Sequence, residues 1–122
     1  MNILIVDDSN IILERLFQLL EEIPEVNGIV GVNDAFSGIS KMEIEMPDLL
    51  ILDINLPGMS GIDVLRSVRL MKKQQPTIII LTNNTIPGYK NECLNMGADY
   101  FLDKSREFMK IQEIIASTFK QV

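Results

Sequence analysis

Leu49-Leu50-Ile51-Leu52-Asp53-Ile54-Asn55-Leu56-Pro57-Gly58 is the stretch whose reading decides the fold. Four large apolar residues run without a break and stop at a carboxylate. An uninterrupted apolar run of strand length predicts a strand buried on both faces, as at the centre of a parallel sheet. Helix is the competing assignment, but Pro47 before the run and Pro57-Gly58 after it leave room only for a short strand. Asp53 then stands at the carboxyl end of a central strand, the edge at which open α/β sheets bind ligands. Taken alone, a strand-ending Asp serves equally well as a turn cap. The rest of the chain decides between the two.

Upstream, Ile3 to Val6 predicts a first strand that ends at two carboxylates, Asp7-Asp8, with Ser9 as the N-cap of a following helix. Ile12, Leu13, Leu16, Phe17, Leu19, Leu20 and Ile23 recur there at helical spacing until Pro24. Gly28 to Val32 predicts the second strand. Asp34 then caps a helix whose stripe is Phe36, Ile39, Met42 and Met46, stopped by Pro47. Downstream, Ser60 or Gly61 opens a third helix. Its apolar side is Ile62, Leu65, Val68 and Leu70, and Arg66, Arg69, Lys72 and Lys73 make a solvated basic face. Thr77 to Leu81 is a second doubly buried strand, ending at Thr82-Asn83-Asn84. A short helix is expected from about Pro87 to Met96 with Gly97 as its stop. Its Tyr89, Cys93, Leu94 and Met96 either pack in the core or leave an exposed apolar patch for a partner, and helical periodicity favours the core. Tyr100-Phe101-Leu102 is the fifth strand, ending at Asp103-Lys104. Ser105 is expected to cap a last helix that turns Phe108, Ile111, Ile114, Ile115 and Phe119 inward.

Strand–helix alternation implies a parallel sheet with right-handed crossovers and helices on both faces. The expected class is α/β, a flavodoxin-like doubly wound (βα)5 fold with strand order 2-1-3-4-5, formed by one domain over residues 1–122. Composition agrees: 47% of residues are hydrophobic and 23% charged. A net charge of -6 argues against a duplex-binding surface of Lys and Arg, and leaves room for a basic protein partner or a cation. Cys93 is the single cysteine, so no intrachain disulfide forms. The N-terminal residues lack the basic segment and apolar length of a signal peptide, and no stretch approaches the ~20 apolar residues of a membrane span. A cytoplasmic location without membrane insertion is expected. The chain has no histidine, which removes His-based triads, His-ligated zinc and phosphohistidine carriage by this chain.

The predicted topology brings Asp7, Asp8, Asp53, Thr82 and Lys104 to one sheet edge. Each has a plain reading alone: capping for the acidic pair, a turn hydroxyl for Thr82, a solvated charge for Lys104. Chance would have to place four complementary strand ends side by side. Two unit charges about 4 Å apart interact by roughly 4 kcal/mol at an effective dielectric of 20, so clustered carboxylates require compensation. All-oxygen ligands without histidine suit Mg²⁺, which commonly takes phosphate as a further ligand. Lys104 then offers a point charge and Thr82 a donor to phosphoryl oxygens, with Asp53 as the nucleophile.

With those residues in order, the chain resembles the receiver domain of bacterial two-component response regulators over its whole length, in a single-domain, chemotaxis-regulator-like form. The acidic pair is Asp7-Asp8, the phosphoacceptor position Asp53, and the following Leu-Pro loop and glycine are Leu56-Pro57 and Gly61. The switch hydroxyl is Thr82, the Gly-Ala-Asp turn Gly97-Ala98-Asp99, the lysine Lys104 and the aromatic switch residue Phe101. The resemblance implies a histidine kinase or phosphotransfer protein as phosphoryl donor. It implies Mg²⁺ held by Asp8, Asp53 and the Asn55 backbone carbonyl, with Asp7 acting through water. It also implies a downstream effector protein that reads a surface made by the fourth helix, fifth strand and fifth helix, with no direct contact to nucleic acid. The domain assists its own phosphorylation and dephosphorylation without being an enzyme.

Three departures from the family pattern surround the site. Ser105 follows the lysine where proline is frequent, Asn83 follows the switch hydroxyl where Ala or Gly is usual, and Asn55 and Asn84 flank the pocket. Three other readings compete. A haloacid-dehalogenase-type phosphohydrolase requires a second Asp where Asn55 stands. A phosphorylation-independent binding module of receiver fold would be expected to lose an acidic residue or the lysine. A flavodoxin would offer a phosphate-cradling loop in place of Asp7-Asp8.

Overall fold

A computed structural model describes residues 1–83 and 86–119. Five strands alternate with five helices: β1 (Asn2–Val6), α1 (Asn10–Glu21), β2 (Gly28–Val32), α2 (Ala35–Glu45), β3 (Leu49–Leu52), α3 (Gly61–Leu70), β4 (Thr77–Thr82), α4 (Tyr89–Asn95), β5 (Tyr100–Asp103) and α5 (Lys110–Thr118). All pairings are parallel and the order is β2-β1-β3-β4-β5, as expected. The chain order reverses between β1 and β3, which makes the carboxyl ends of those two strands the switch point.

Alternation along the strands divides the core into two layers. Leu50 and Leu52 point with Leu4 and Val6 toward α2, α3 and α4, where Met42, Val64, Leu65, Val68 and Cys93 meet them. Leu49 and Ile51 point with Ile3 and Ile5 toward α1 and α5, against Leu16, Leu20, Ile111 and Ile115. Both faces of β3 are therefore covered, which is why its sequence shows no polar alternation. Ser9 caps α1 by accepting from the Ile12 N–H at 3.3 Å, Asp34 caps α2 through Ser37 at 2.8 Å, and Ser60 caps α3 through Ile62 at 3.1 Å. Among the described residues no helix is long and apolar enough to cross a membrane.

Several helical expectations need correction. In α2, Phe36 is 67% exposed and Met46 lies past the helix end, also exposed. The buried face is made instead by Ala35, Gly38 and Met42, because the helix lies close on β1. A Cβ on Gly38 would come within 2.9 Å of Val6 Cγ2. In α3, Leu70 is 75% exposed, and Val64 joins Leu65 and Val68 inside. Arg69 is not on a solvated face. Its guanidinium donates to the Gly97 carbonyl, to Gln75 Oε1 at 2.8 Å and to the Pro76 carbonyl at 3.2 Å, and pairs with Asp99 at 3.2 Å. Lys72 and Lys73 follow the helix end. In α4, Cys93 is buried and Tyr89 and Met96 pack on the core, but Leu94 faces out. Ser105 does not cap α5, which starts five residues later at Lys110. The Asp103 carboxylate takes the Ser105 N–H at 2.8 Å and the Arg106 N–H at 3.0 Å, so a turn forms first.

Candidate functional site

The sheet itself holds the predicted residues in place. Beyond the strand ends, the Asp7 N–H donates to the Val32 carbonyl at 3.1 Å, the Asp53 N–H to the Val6 carbonyl at 3.0 Å and the Lys104 N–H to the Thr82 carbonyl at 3.1 Å. These bonds continue the parallel ladders by one residue, so each functional side chain leaves from backbone already fixed by its neighbour. Asp7, Asp53, Thr82 and Lys104 are 2%, 3%, 1% and 8% exposed, and they are the buried polar residues among those described. Burying charge costs several kcal/mol per ion unless it is paired. Here the cost falls on one point of the fold.

Lys104 Nζ stands 2.8 Å from Asp7 Oδ2 and 2.9 Å from Asp53 Oδ2. The second oxygen of each carboxylate takes a backbone N–H: Ser9 to Asp7 Oδ1 at 2.9 Å and Asn55 to Asp53 Oδ1 at 3.2 Å. Asp8 lies beside them but is exposed. One oxygen from each of Asp7, Asp8 and Asp53 falls within 4.8 Å of the others. Three carboxylates against the single Lys104 ammonium leave a local charge of -2. Burial pushes the Asp7 carboxyl above the ordinary carboxylate range, against the opposing pull of Lys104. Burial likewise works against the Lys104 ammonium, but its bonds to Asp53 and Asp7 together prevail and its pKa stands above the ordinary lysine value. The sequence reading assigned Lys104 to phosphoryl oxygens only. In the structure it is also the cation that balances Asp7 and Asp53.

The donor set fits a small hard cation. All three side chains offer carboxylate oxygen, Asp8 is open to solvent, and the excess negative charge lies on that side. Asn55 is exposed at the rim. Thr82 is fully enclosed at the end of β4, opposite Asp103 in the ladder. Phe101, opposite Ile80, is half-buried and packs on the core layer beneath the site. Gly61 secures the loop after Asp53: its N–H donates to the Ile54 carbonyl at 2.8 Å, and a Cβ there would sit 2.0 Å from the Asp53 carbonyl oxygen. Asn83 is exposed at the lip, and the Lys104–Ser105 peptide is trans. Asn84 lies outside the described residues. Sequence reasoning missed the two backbone donors, Ser9 and Asn55, since main-chain N–H groups leave no mark in residue types. It also missed the Arg69–Asp99 tie, in which Asp99 Oδ2 further accepts from the Ile78 N–H at 2.8 Å.

Known proteins share this fold. The model of the response regulator receiver domain family matches residues 3–116. The chain is 31% identical over 107 residues to a protein-glutamate methylesterase/protein-glutamine glutaminase of Koribacter versatilis, a match covering 86% of this chain and 29% of that protein. The chain thus spans about a third or less of the length of such curated relatives. Among solved structures it is similar to a chain of the CheX–CheY–BeF3–Mg²⁺ complex from Borrelia burgdorferi, with a TM-score of 0.86, 27% identity, and coverage of 99% of this chain and 90% of that one. It is also similar to a LuxR-family DNA-binding response regulator from Staphylococcus aureus, with a TM-score of 0.85, 26% identity, and coverage of 95% and 96%.

Proposed function

The chain belongs to the response regulator receiver domain family, the regulatory module of two-component phosphorelay signalling, and from that premise we propose that Asp53 is its phosphoacceptor. The observation that carries this is the Lys104 ammonium held between two buried carboxylates, Asp7 and Asp53, at the switch point of the sheet. Asp53 ends the central strand and is fixed through both oxygens. Its carboxylate attacks the phosphorus of a phosphohistidine presented by a histidine kinase or phosphotransfer protein. The N–P bond breaks as the O–P bond forms, and the imidazole leaves with the electron pair. Lys104 needs no large movement to serve the new group, because its ammonium already contacts the Asp53 carboxylate. Thr82 donates its hydroxyl to a second phosphoryl oxygen, and Phe101 packs behind it. The surface of α4, β5 and α5 changes with those two residues, and an effector protein reads it.

Mg²⁺ is the cation that fits; Asp8, Asp53 and the Asn55 carbonyl would hold it, with Asp7 acting through water. It neutralises charge on the phosphoryl oxygens when bound. The complex with BeF3 and Mg²⁺ in the Borrelia protein supports this choice. The chain acts as a regulatory module; the methylesterase activity named for its relatives belongs to proteins of which it spans only a part.

Intact mass after incubation with acetyl phosphate tests the proposal. The expected result is a Mg²⁺-dependent gain of one phosphoryl group that decays with time and is absent from the Asp53→Asn variant. Label uptake by Asp53→Asn at the wild-type rate would sink the assignment. No uptake by the folded wild type, from acetyl phosphate or from a phosphorylated kinase, would favour a phosphorylation-independent binding module.

A further inference from the structure

With all strands parallel, each helix runs back toward the amino edge of the sheet, so α1 and α5 both end at the pole opposite Asp53. Between their last turns lies a groove of about 350 Å³. Its apolar lining is Ile23 and Pro24 from the turn after α1, with Ala116 and Phe119 from α5. Gln112, Ala116 and Phe119 follow one another at spacings of four and three, so one stripe of α5 forms a wall, and the small Ala116 side chain keeps it shallow. Glu22 and Glu25 line the groove on the α1 side. Charge at this pole is unbalanced. Among the described residues no ion pair includes Glu21, Glu22 or Glu25. The Met1 ammonium donates to the Glu25 carbonyl at 2.7 Å, and even with Lys120, which follows α5 in the sequence, the three carboxylates are in excess. Neither α1 nor α5 has a basic residue in its last turn, so the partial negative charge of both helix ends adds to theirs.

We propose that this groove is a docking site for a cationic segment of a partner protein, one that seats an apolar side chain on Ala116 and Phe119 and sets Lys or Arg against Glu22 and Glu25. Charge complementarity selects that occupant. A second copy of this chain, seated by a two-fold axis, would bring Glu22 and Glu25 against their own counterparts. The phosphates of a lipid surface or a nucleic acid would meet the same repulsion, on a chain whose net charge is already -6. The apolar lining demands more than charge: without an apolar anchor the partner leaves Ile23, Pro24 and Phe119 facing water. The site is also remote from the acidic edge. α1 has 12 residues, and its Asn10 end follows Ser9, whose N–H donates to Asp7. At 1.5 Å per residue the groove stands about 18 Å further along the helix. A partner held there leaves Asp53 open, so the docking does not depend on the role of Asp53.

The test is an NMR titration of the ¹⁵N-labelled protein at low salt with a short end-blocked peptide in which leucines alternate with pairs of lysines. Two control peptides replace the leucines by serine, or the lysines by glutamate. The expected result is a saturable shift of amide signals centred on Ile23, Glu25, Ala116 and Phe119, with the leucine–lysine peptide alone. The double variant Glu22→Gln, Glu25→Gln should weaken binding roughly two- to thirtyfold, the range that two exposed ion pairs span. Ala116→Lys, which fills the groove and adds a cation at an exposed position, should abolish it. Both variants should keep the wild-type melting temperature. Shifts centred on Asp7, Asp8 and Asp53 would overturn the proposal, as would no saturable shift or an unchanged affinity in Ala116→Lys. An equal response to the serine peptide would reduce the effect to charge alone, and an equal response to the glutamate peptide would remove the charge complementarity; either overturns it. None of these outcomes bears on phosphoryl uptake by Asp53, which the mass measurement tests separately.

Discussion

Lys104 carries more of the site than any other residue, because it is the cation for two carboxylates that the sheet topology forces together. Removing it leaves Asp7 and Asp53 buried without their charge partner. Breaking a buried pair from one side costs about 3–5 kcal/mol. The Lys104→Met variant is expected to lose stability of that order at neutral pH in chelator, read from the denaturant midpoint; a loss below about 1 kcal/mol would show that the pair is not stabilising. The pH dependence has a definite sign. The folded-state pKa of Lys104 is raised above the ordinary 10.5. Its contribution is thus fully present below that value and lost as pH rises through the higher folded value. Lys104→Met should remove this part of the alkaline loss. The site was largely legible at this scale. Apolar runs that stop abruptly at Asp7, Asp53 and Thr82 mark strand ends, and an α/β topology puts such ends together. The bond from Ser105 Oγ to Asn83 Oδ1, at 3.2 Å, had no such signal, since two polar residues on separate loops look like solvated surface until their side chains are placed.

Among the elements, the strands followed their sequence signals closely and the helices less so, for a physical reason. A doubly buried strand must be apolar throughout, but a helix packed closely on a sheet can bury glycine and alanine. Hydropathy gives such residues little weight, so Phe36 drew the expected face of α2 away from Ala35 and Gly38. Arg69 misled in the opposite sense: periodicity records polarity, not the carbonyls of Gly97 and Pro76 that a half-buried guanidinium satisfies. Ser105 lost the capping role because Asp103, two residues earlier, offers a stronger acceptor to the same turn. The end of α2 yields a prediction of its own. Met46 is its C-cap at φ 45° in the left-handed region, where a Cβ crowds the backbone. Its side chain is exposed and contributes little packing. Met46→Gly is expected to stabilise the protein by about 1 kcal/mol, measured as an increase in denaturant midpoint at unchanged slope. A decrease would mean that the thioether packs more than its exposure implies.

For the whole molecule, the fold concentrates like charge where it gains least from water, and stability is thereby tied to the ligand. A chain of net charge -6 carries three of its carboxylates at one sheet edge against a single ammonium. A cation that binds this cluster binds the folded state alone, because the unfolded chain does not hold Asp7, Asp8 and Asp53 together. Mg²⁺ should therefore raise the melting temperature. At ten times the dissociation constant the gain is about 1.4 kcal/mol, which for a domain of this length is roughly 5 °C. Mg²⁺ bound at this cluster would compensate the same carboxylates as Lys104, which would couple the two effects. The Lys104→Met variant should show a larger Mg²⁺-induced rise than wild type. Asp53→Asn, which removes a ligand and relieves repulsion at once, should melt higher than wild type in chelator and respond less to Mg²⁺. Differential scanning calorimetry of the three proteins, each with Mg²⁺ and with chelator, measures all of these differences. Identical wild-type curves in the two conditions would count against a cation site at this edge. An equal Mg²⁺ response from wild type and the Lys104→Met variant would mean that the metal and the ammonium do not share their carboxylates.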